Sequence, residues 1–165
     1  MSNWCVNKLT VEGQPKEILK FLRRILNENE EFDFNNIIAE PQKEFLCPDK
    51  YKLKPDMGIK PIAEKPWFNW YKWRLDNWNS LDNANCNCKG ITNAVSDGAT
   101  RISLNFDTTY DPPIPIVRQL TKSFPNLKIV DFYYDTDRMF AGYVNDTEIY
   151  EATDEEIDVF VDKIF

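Results

Sequence analysis

The stretch RISLNFDTTYDPPIP, residues 101–115, contains the two patterns on which the fold assignment rests. In its first half Ile102, Leu104 and Phe106 alternate with single polar residues, which is the period of a strand with one buried face. Its second half predicts a helix start, with Asp111 as the cap and proline at the first helical position. The basic unit of the chain is therefore a strand that runs directly into a helix.

The segment before this strand is interpreted as its hairpin partner. Residues 85–95 are predicted to form the first arm, and Asp97-Gly98 is predicted to form the tight turn, because Asp-Gly is a strong hairpin signal.

The N-terminal half begins with a predicted strand over residues 4–11 and a helix that starts at Pro15. Five prolines between residues 41 and 66 indicate a long surface loop, which we place at residues 42–66. An aromatic helix is then predicted from Pro66, with Trp67, Tyr71 and Trp78 on one face.

The C-terminal part predicts two strands and a helix. The strands cover residues 127–134 and 139–144, and the helix covers residues 153–165. The helix start has the pattern of a capping box, with Thr153 at the cap and Glu156 three residues later.

Together these elements predict a single α+β domain over residues 1–165. Its core is expected to be a ferredoxin-like antiparallel sheet with the helices on one face. The Pro-rich 42–66 segment is an insertion, and the 153–165 helix is an addition to that plan.

Several sequence blocks resemble the YubB ferredoxin-like domain family of phage and plasmid proteins. They are NWCVNKL with Gly13 (residues 3–13), Phe32-Asp33-Phe34 through Ile37-Ile38 to Pro41, WYKWR with Asn77-Trp78 (residues 70–78), FDTTYDPPIP (residues 106–115) and Phe124-Pro125. The family usually has Gly, Trp and Trp where this chain has Asn79, Asp82 and Tyr110. The resemblance implies a ferredoxin-like fold and an origin in a mobile element, and it implies no reaction.

The charge of the chain is concentrated at one end. The net charge is −7, while residues 126–165 carry three Lys/Arg and eleven Asp/Glu, a net charge of −8. Such a segment repels phosphate backbones and favours a basic partner. The candidate partner-binding residues are Asp131, Asp135, Asp137, Asp158 and Asp162, together with Trp70 and Trp73 of the aromatic helix.

The composition argues against most catalytic and metal chemistry. The chain contains no histidine, so it lacks the usual general base and the commonest metal ligand. A zinc site built from Cys5, Cys47, Cys86 and Cys88 and a magnesium site built from aspartates are the remaining options, and we expect neither. All four cysteines are expected to be free thiols, because no secretory signal or membrane span is recognised and a cytoplasmic location in a bacterial host follows.

Three classes of function remain. The first is a non-enzymatic acidic binding protein of a phage or plasmid, which docks on a basic host protein or nucleoprotein complex. Such a protein would inhibit a nucleic-acid-handling or defence complex, for example as an anti-CRISPR. The second is a nucleic-acid-binding module that uses exposed aromatic residues, and the third is a small carboxylate-dependent enzyme. We favour the first class, with no cofactor and with weak or no binding to nucleic acid.

Overall fold

The computed structural model describes residues 4–42, 48–52, 68–86 and 88–165 of the 165-residue chain. These residues form an α+β fold around one five-stranded sheet. The elements in chain order are β1 (Trp4–Glu12), α1 (Pro15–Ile25), α2 (Trp70–Trp78), α3 (Ile91–Ser96), β2 (Arg101–Thr109), α4 (Ile114–Ser123), β3 (Lys128–Asp135), β4 (Ala141–Val144), β5 (Ile149–Glu151) and α5 (Ile157–Ile164). Among the described residues between α1 and α2 are the single 3-10 turns Phe34–Asn36 and Asp49–Tyr51.

The sheet is antiparallel throughout and has the order β2-β1-β3-β4-β5. Strand β1 lies between β2 and β3, so that Leu9 pairs with Leu104 on one side and with Asp131 on the other. Because β2 and β3 are both antiparallel to β1, they run parallel to each other. Two strands that run in the same direction need a long connection, and the one between β2 and β3 contains α4.

The first face of the sheet carries the main core. Cys5, Leu9 and Val11 of β1 point to this face and are fully buried. Ile102, Leu104 and Phe106 of β2 share it, as their register with β1 requires. The strand predicted from the 101–109 alternation is therefore confirmed, and its apolar side faces the core.

Helix α1 agrees with its prediction. It begins at Pro15, which needs no hydrogen-bond partner for its nitrogen at the first position. Its buried face is formed by Ile18, Phe21, Leu22 and Ile25. The helix ends before Leu26, which has an extended backbone and forms an isolated bridge with Phe32.

The prediction that all helices lie on one face of the sheet is wrong for α5. Phe132 and Tyr134 of β3 point away from the main core, and they contact Phe160 and Phe165 at centroid distances of 6.5 and 4.7 Å. Lys8 of β1 donates a hydrogen bond from Nζ to the carbonyl oxygen of Ile164 at 2.7 Å. Strand β3 has apolar residues on both sides, so both faces need cover, and α5 covers the second face.

The predicted hairpin over residues 85–108 is also wrong. The second half of its first arm, residues 91–95, lies in helix α3, and among the described residues of the arm Asn85 is the one that bridges to Asp107 of β2. Gly98 has a φ of +99° and donates its N–H to the carbonyl of Val95 at 2.9 Å. This is how a helix ends at a left-handed glycine, so the Asp-Gly pair ends α3 rather than forming a hairpin turn.

The N-terminal ends of two other helices differ from their predictions. Helix α4 starts at Ile114 with Pro113 in the capping position, so Asp111 does not cap it. Helix α5 starts at Ile157 rather than at residue 153. Glu156 still accepts hydrogen bonds from the backbone N–H and the hydroxyl of Thr153, at 3.0 and 2.8 Å, so half of the predicted capping box is present.

Most of the predicted 42–66 insertion lies outside the described residues. Within the part that is described, Tyr51 is buried and lies in a 3-10 turn. Lys52 forms an isolated bridge with Phe68, just before α2. At Tyr51 the segment is therefore part of the core rather than a surface loop.

We predict that Gly142→Ala destabilises the protein. A Cβ atom at this position would collide with the backbone oxygen of Tyr150 on β5 and contact the hydroxyl of Tyr133. Because a backbone atom cannot rotate away, β4 and β5 must separate, at a cost of about 1–3 kcal/mol. Thermal unfolding measures the effect, and Ser103→Ala on the exposed side of β2 is the control. Equal melting temperatures for the two variants would contradict this packing.

Candidate acidic surface on the second face of the sheet

Asp131 is in the core and cannot contact a partner. It points to the first face of the sheet, and its cross-strand neighbours are Leu9 and Val144. The side chain is fully buried, and neither carboxylate oxygen has a hydrogen-bond partner among the described residues. Burial raises the pKa of Asp131 well above its ordinary range. The sequence indicated that Asp131 faces the core, because it alternates in phase with the apolar residues Ile129 and Tyr133.

Asp135 organises the turn between β3 and β4. Its Oδ2 atom accepts hydrogen bonds from the backbone N–H groups of Asp137 and Met139, at 3.0 and 3.3 Å. The residue is almost fully buried. We therefore remove both Asp131 and Asp135 from the candidate surface.

Asp137, Asp158 and Asp162 are exposed, and two of them are ion-paired within the chain. Arg138 binds the carboxylate of Asp158 at 2.6 Å and that of Asp162 at 3.3 Å. The hydrogen bonds to these two carboxylates raise the pKa of Arg138. The pairs connect the β3–β4 turn to α5, so Asp158 and Asp162 hold the helix in position as well as contributing charge.

The aromatic helix α2 is mainly a core element. It starts at Trp70, with Asn69 as its cap, and not at Pro66. Trp73 is only 5% exposed and packs against Trp78, whose indole N–H donates to the carbonyl of Ile38 at 2.9 Å. We therefore remove Trp73 from the candidate surface.

The face of α2 that was predicted to carry Trp67, Tyr71 and Trp78 is only partly buried. Trp78 is fully buried and Tyr71 is half exposed, while Trp67 lies outside the described residues. Trp70 is half-buried, and the Arg74 guanidinium lies 5.2 Å from its ring and 5.1 Å from that of Trp78. Most of the aromatic area of this helix is therefore used within the protein.

The candidate site is an acidic surface. It comprises the exposed carboxylates that remain from the eleven in residues 126–165 after the two buried ones are removed. They are Asp137, Asp146, Glu148, Glu151, Asp154, Glu155, Glu156, Asp158 and Asp162. All of them belong to the β3–β4 turn, the β4–β5 hairpin, or α5 and the turn before it.

Two tyrosines support the centre of the acidic surface. Tyr143 and Tyr150 stack with their ring centroids 5.2 Å apart. Their hydroxyls donate hydrogen bonds to Glu148 at 2.8 Å and to Glu156 at 3.3 Å. Hydrogen bonds from Thr153 lower the pKa of Glu156. The surface therefore has carboxylates fixed on a rigid sheet and helix, rather than on a mobile tail.

The cysteines are not all free thiols. Cys86 and Cys88 form a disulfide, which corrects the prediction for this pair, and Cys47 lies outside the described residues. Cys5 is a free thiol in the core, and burial, followed by the nearby Asp131, raises its pKa. Among the described residues no group of three Cys, Asp or Glu side chains is arranged to hold a metal ion.

Comparisons with known proteins gave no relatives: no family model, curated protein or solved structure matches the chain. No helix within the described ranges has the length and apolar character needed to cross a bilayer.

We predict that Asp131→Asn stabilises the protein relative to the wild type, by an amount that grows as the pH rises. The folded-state pKa of Asp131 lies above the unfolded value. Above the unfolded pKa the native state therefore binds more protons than the unfolded state, and its stability decreases with rising pH. Asparagine does not ionise, so the variant does not lose stability at this position as the pH rises.

Melting temperatures of the wild type and Asp131→Asn should therefore diverge between pH 4 and pH 8, in favour of the variant. The exposed Asp137→Asn is the matched control and should follow the wild-type profile. Parallel pH profiles for Asp131→Asn and the wild type would show that this carboxylate does not titrate as its burial requires.

Proposed function

We propose that the protein is a non-enzymatic binding protein that docks its acidic surface on a basic partner. The supporting observation is the placement of nine exposed carboxylates on the β3–β4 turn, the β4–β5 hairpin, and α5 with the turn before it. The bases in the same part of the chain are Lys128, Arg138 and Lys163, and Arg138 is already paired. A surface with one dominant sign of charge accelerates association with the opposite sign and makes binding sensitive to salt.

The fold within this proposal is ferredoxin-like. It is supported by the placement of β2 and β3 on either side of β1, with α4 in the connection between them. The bridge from Asn85 to Asp107 lies on the outer side of β2. This is where the remaining edge strand of a four-stranded ferredoxin-like sheet would pair. The β4–β5 hairpin and α5 are then additions, and they carry the acidic surface.

The partner class is a basic host protein or a nucleoprotein complex. A surface of carboxylates on rigid elements can occupy a groove that normally holds a nucleic-acid backbone. With the resemblance to phage and plasmid proteins, this supports an inhibitor of a nucleic-acid-handling or defence complex, such as an anti-CRISPR, acting in the bacterial cytoplasm.

Charge reversal tests the docking surface. We predict that replacing Asp146, Glu151, Asp154 and Glu155 by lysine abolishes capture of the partner from bacterial lysate. The variant leaves out Asp135 and the two carboxylates bound to Arg138, so the contacts that hold the fold are kept. Capture by the wild type should decrease between about 0.1 and 0.5 M salt, because exposed charges are screened.

The matched control reverses four bases on α1, namely Lys16, Lys20, Arg23 and Arg24, to glutamate. Both variants need circular dichroism spectra like that of the wild type. If the lysine variant captures the same partner as well as the wild type does, the acidic surface is not the docking site.

We also predict that single-stranded oligonucleotides bind weakly, with a dissociation constant above about 10 μM near 0.15 M salt, where non-specific binding is electrostatic. The reason is that Trp73 is buried and Trp70 is stacked on Arg74, while the acidic surface repels phosphates. Fluorescence anisotropy with a labelled oligonucleotide measures this. Submicromolar binding that is lost in Tyr71→Ala, the exposed aromatic residue of α2, would support the nucleic-acid-binding class instead.

A further inference from the structure

A cavity next to β2 contains a pair of bonded sulfur atoms. Its volume is about 380 Å³, and it is lined by Cys86 and Cys88, residues 89–91 before and at the start of α3, and residues 103–105 of β2. A space of this size lies within the usual range for small-ligand pockets. The cavity lies at the β2 edge of the sheet, whereas the acidic surface is built around β4, β5 and α5.

The disulfide contributes little as a structural cross-link. It joins residues two positions apart, and closing such a short loop removes about half the chain entropy that a loop of about 15 residues would. The segment is also held on both sides without it. Asn85 exchanges backbone hydrogen bonds with Asp107 at 3.1 and 3.2 Å, and Ile91 donates its N–H to the carbonyl of Cys88 at 3.3 Å.

The two sulfur-bearing residues differ in exposure. Cys86 is half-buried, whereas Cys88 is 5% exposed, and both line the cavity. An incoming thiolate therefore reaches Cys86 first, and Cys88 is the leaving group on the protected side. Lys89 also lines the cavity, and a nearby cation favours the thiolate form of cysteine.

We propose that Cys86 and Cys88 form a thiol–disulfide exchange site for a glutathione-type thiol. The thiolate of the small molecule attacks Sγ of Cys86, the Cys86–Cys88 bond breaks, and its electron pair leaves on Sγ of Cys88, which takes a proton from solvent. A second small thiolate then attacks the sulfur of the bound small molecule and releases Cys86 as a thiolate. In total two small thiols are oxidised to one disulfide, and the protein gains two electrons.

This site is independent of the proposed docking function. It is also selective within the chain, because Cys5 is fully buried and its thiol has no route to solvent. The Cys5 thiol is therefore an internal control that should stay unreacted as long as the protein is folded.

The experiment uses the full chain with Cys47→Ser, so that only the bonded pair and Cys5 remain. The protein is equilibrated with mixtures of reduced and oxidised glutathione under native conditions, blocked with N-ethylmaleimide and analysed by peptide mass mapping. We expect Cys86 and Cys88 to change together between the disulfide and two blocked thiols, with Cys5 blocked only after denaturation. Absence of the disulfide at every glutathione ratio, or reduction that requires denaturant, overturns the proposal.

Single variants test which sulfur is attacked. With oxidised glutathione, Cys88→Ala should form a mixed disulfide at Cys86 at least about tenfold faster than Cys86→Ala does at Cys88, because reactivity follows access. Equal rates contradict the assigned direction of attack. A variant with alanine at both positions should melt within a few degrees of the wild type, and its failure to fold would show that the bond is structural and not an exchange site.

Discussion

The pairing of β1 on both of its edges is the constraint on which the rest of the structure depends. Because β1 is bonded to β2 and to β3 in antiparallel registers, those two strands must run in the same direction. A parallel relationship cannot be made by a tight turn, so the chain must leave the sheet between them, and α4 is formed there. The order of the elements is therefore a consequence of where the first strand lies.

Strand β3 is apolar on both faces, and this determines where α5 packs. Its odd-numbered residues, including Ile129 and Tyr133, face the main core, and Phe132 and Tyr134 face the other side. A strand that is apolar on both faces needs cover on both faces. Helix α5 supplies that cover and brings its carboxylates with it, so the acidic surface lies where the core requires a helix.

The elements that could be predicted are those with a long and regular pattern. Strands β1, β2 and β3 and helix α1 follow their periods closely, because one face of each is buried over at least two turns or four alternations. The α3 segment was misassigned because its Asp-Gly pair fits both a hairpin turn and a helix end. The hydrogen bonds from Gly98 to Val95 and from Ala99 to Ala94 show that it is a helix end.

The candidate site was predicted less well, because charge in a sequence does not reveal the side on which it lies. Asp131 and Asp135 are in phase with the core side of β3, so a consistent use of the strand period would have excluded them. The pairing of Arg138 with Asp158 and Asp162 had no comparable signal, because it joins a turn to a helix twenty or more residues away. The sequence therefore predicted the sign of the surface, and the fold determined its members.

The order of the strands also separates the acidic surface from the cysteine pair. Cys86 and Cys88 lie beside β2 at one edge of the sheet, and β5 forms the other edge. Four strand spacings of about 4.8 Å place these edges roughly 19 Å apart, which is about twice the screening length of physiological salt. A charge released when the disulfide opens is therefore screened from Glu148 and Glu151 at the β5 edge of the sheet. A change in the redox state of the cysteine pair consequently leaves the electrostatics of the acidic surface unchanged at the β5 edge, which is the part of that surface farthest from β2.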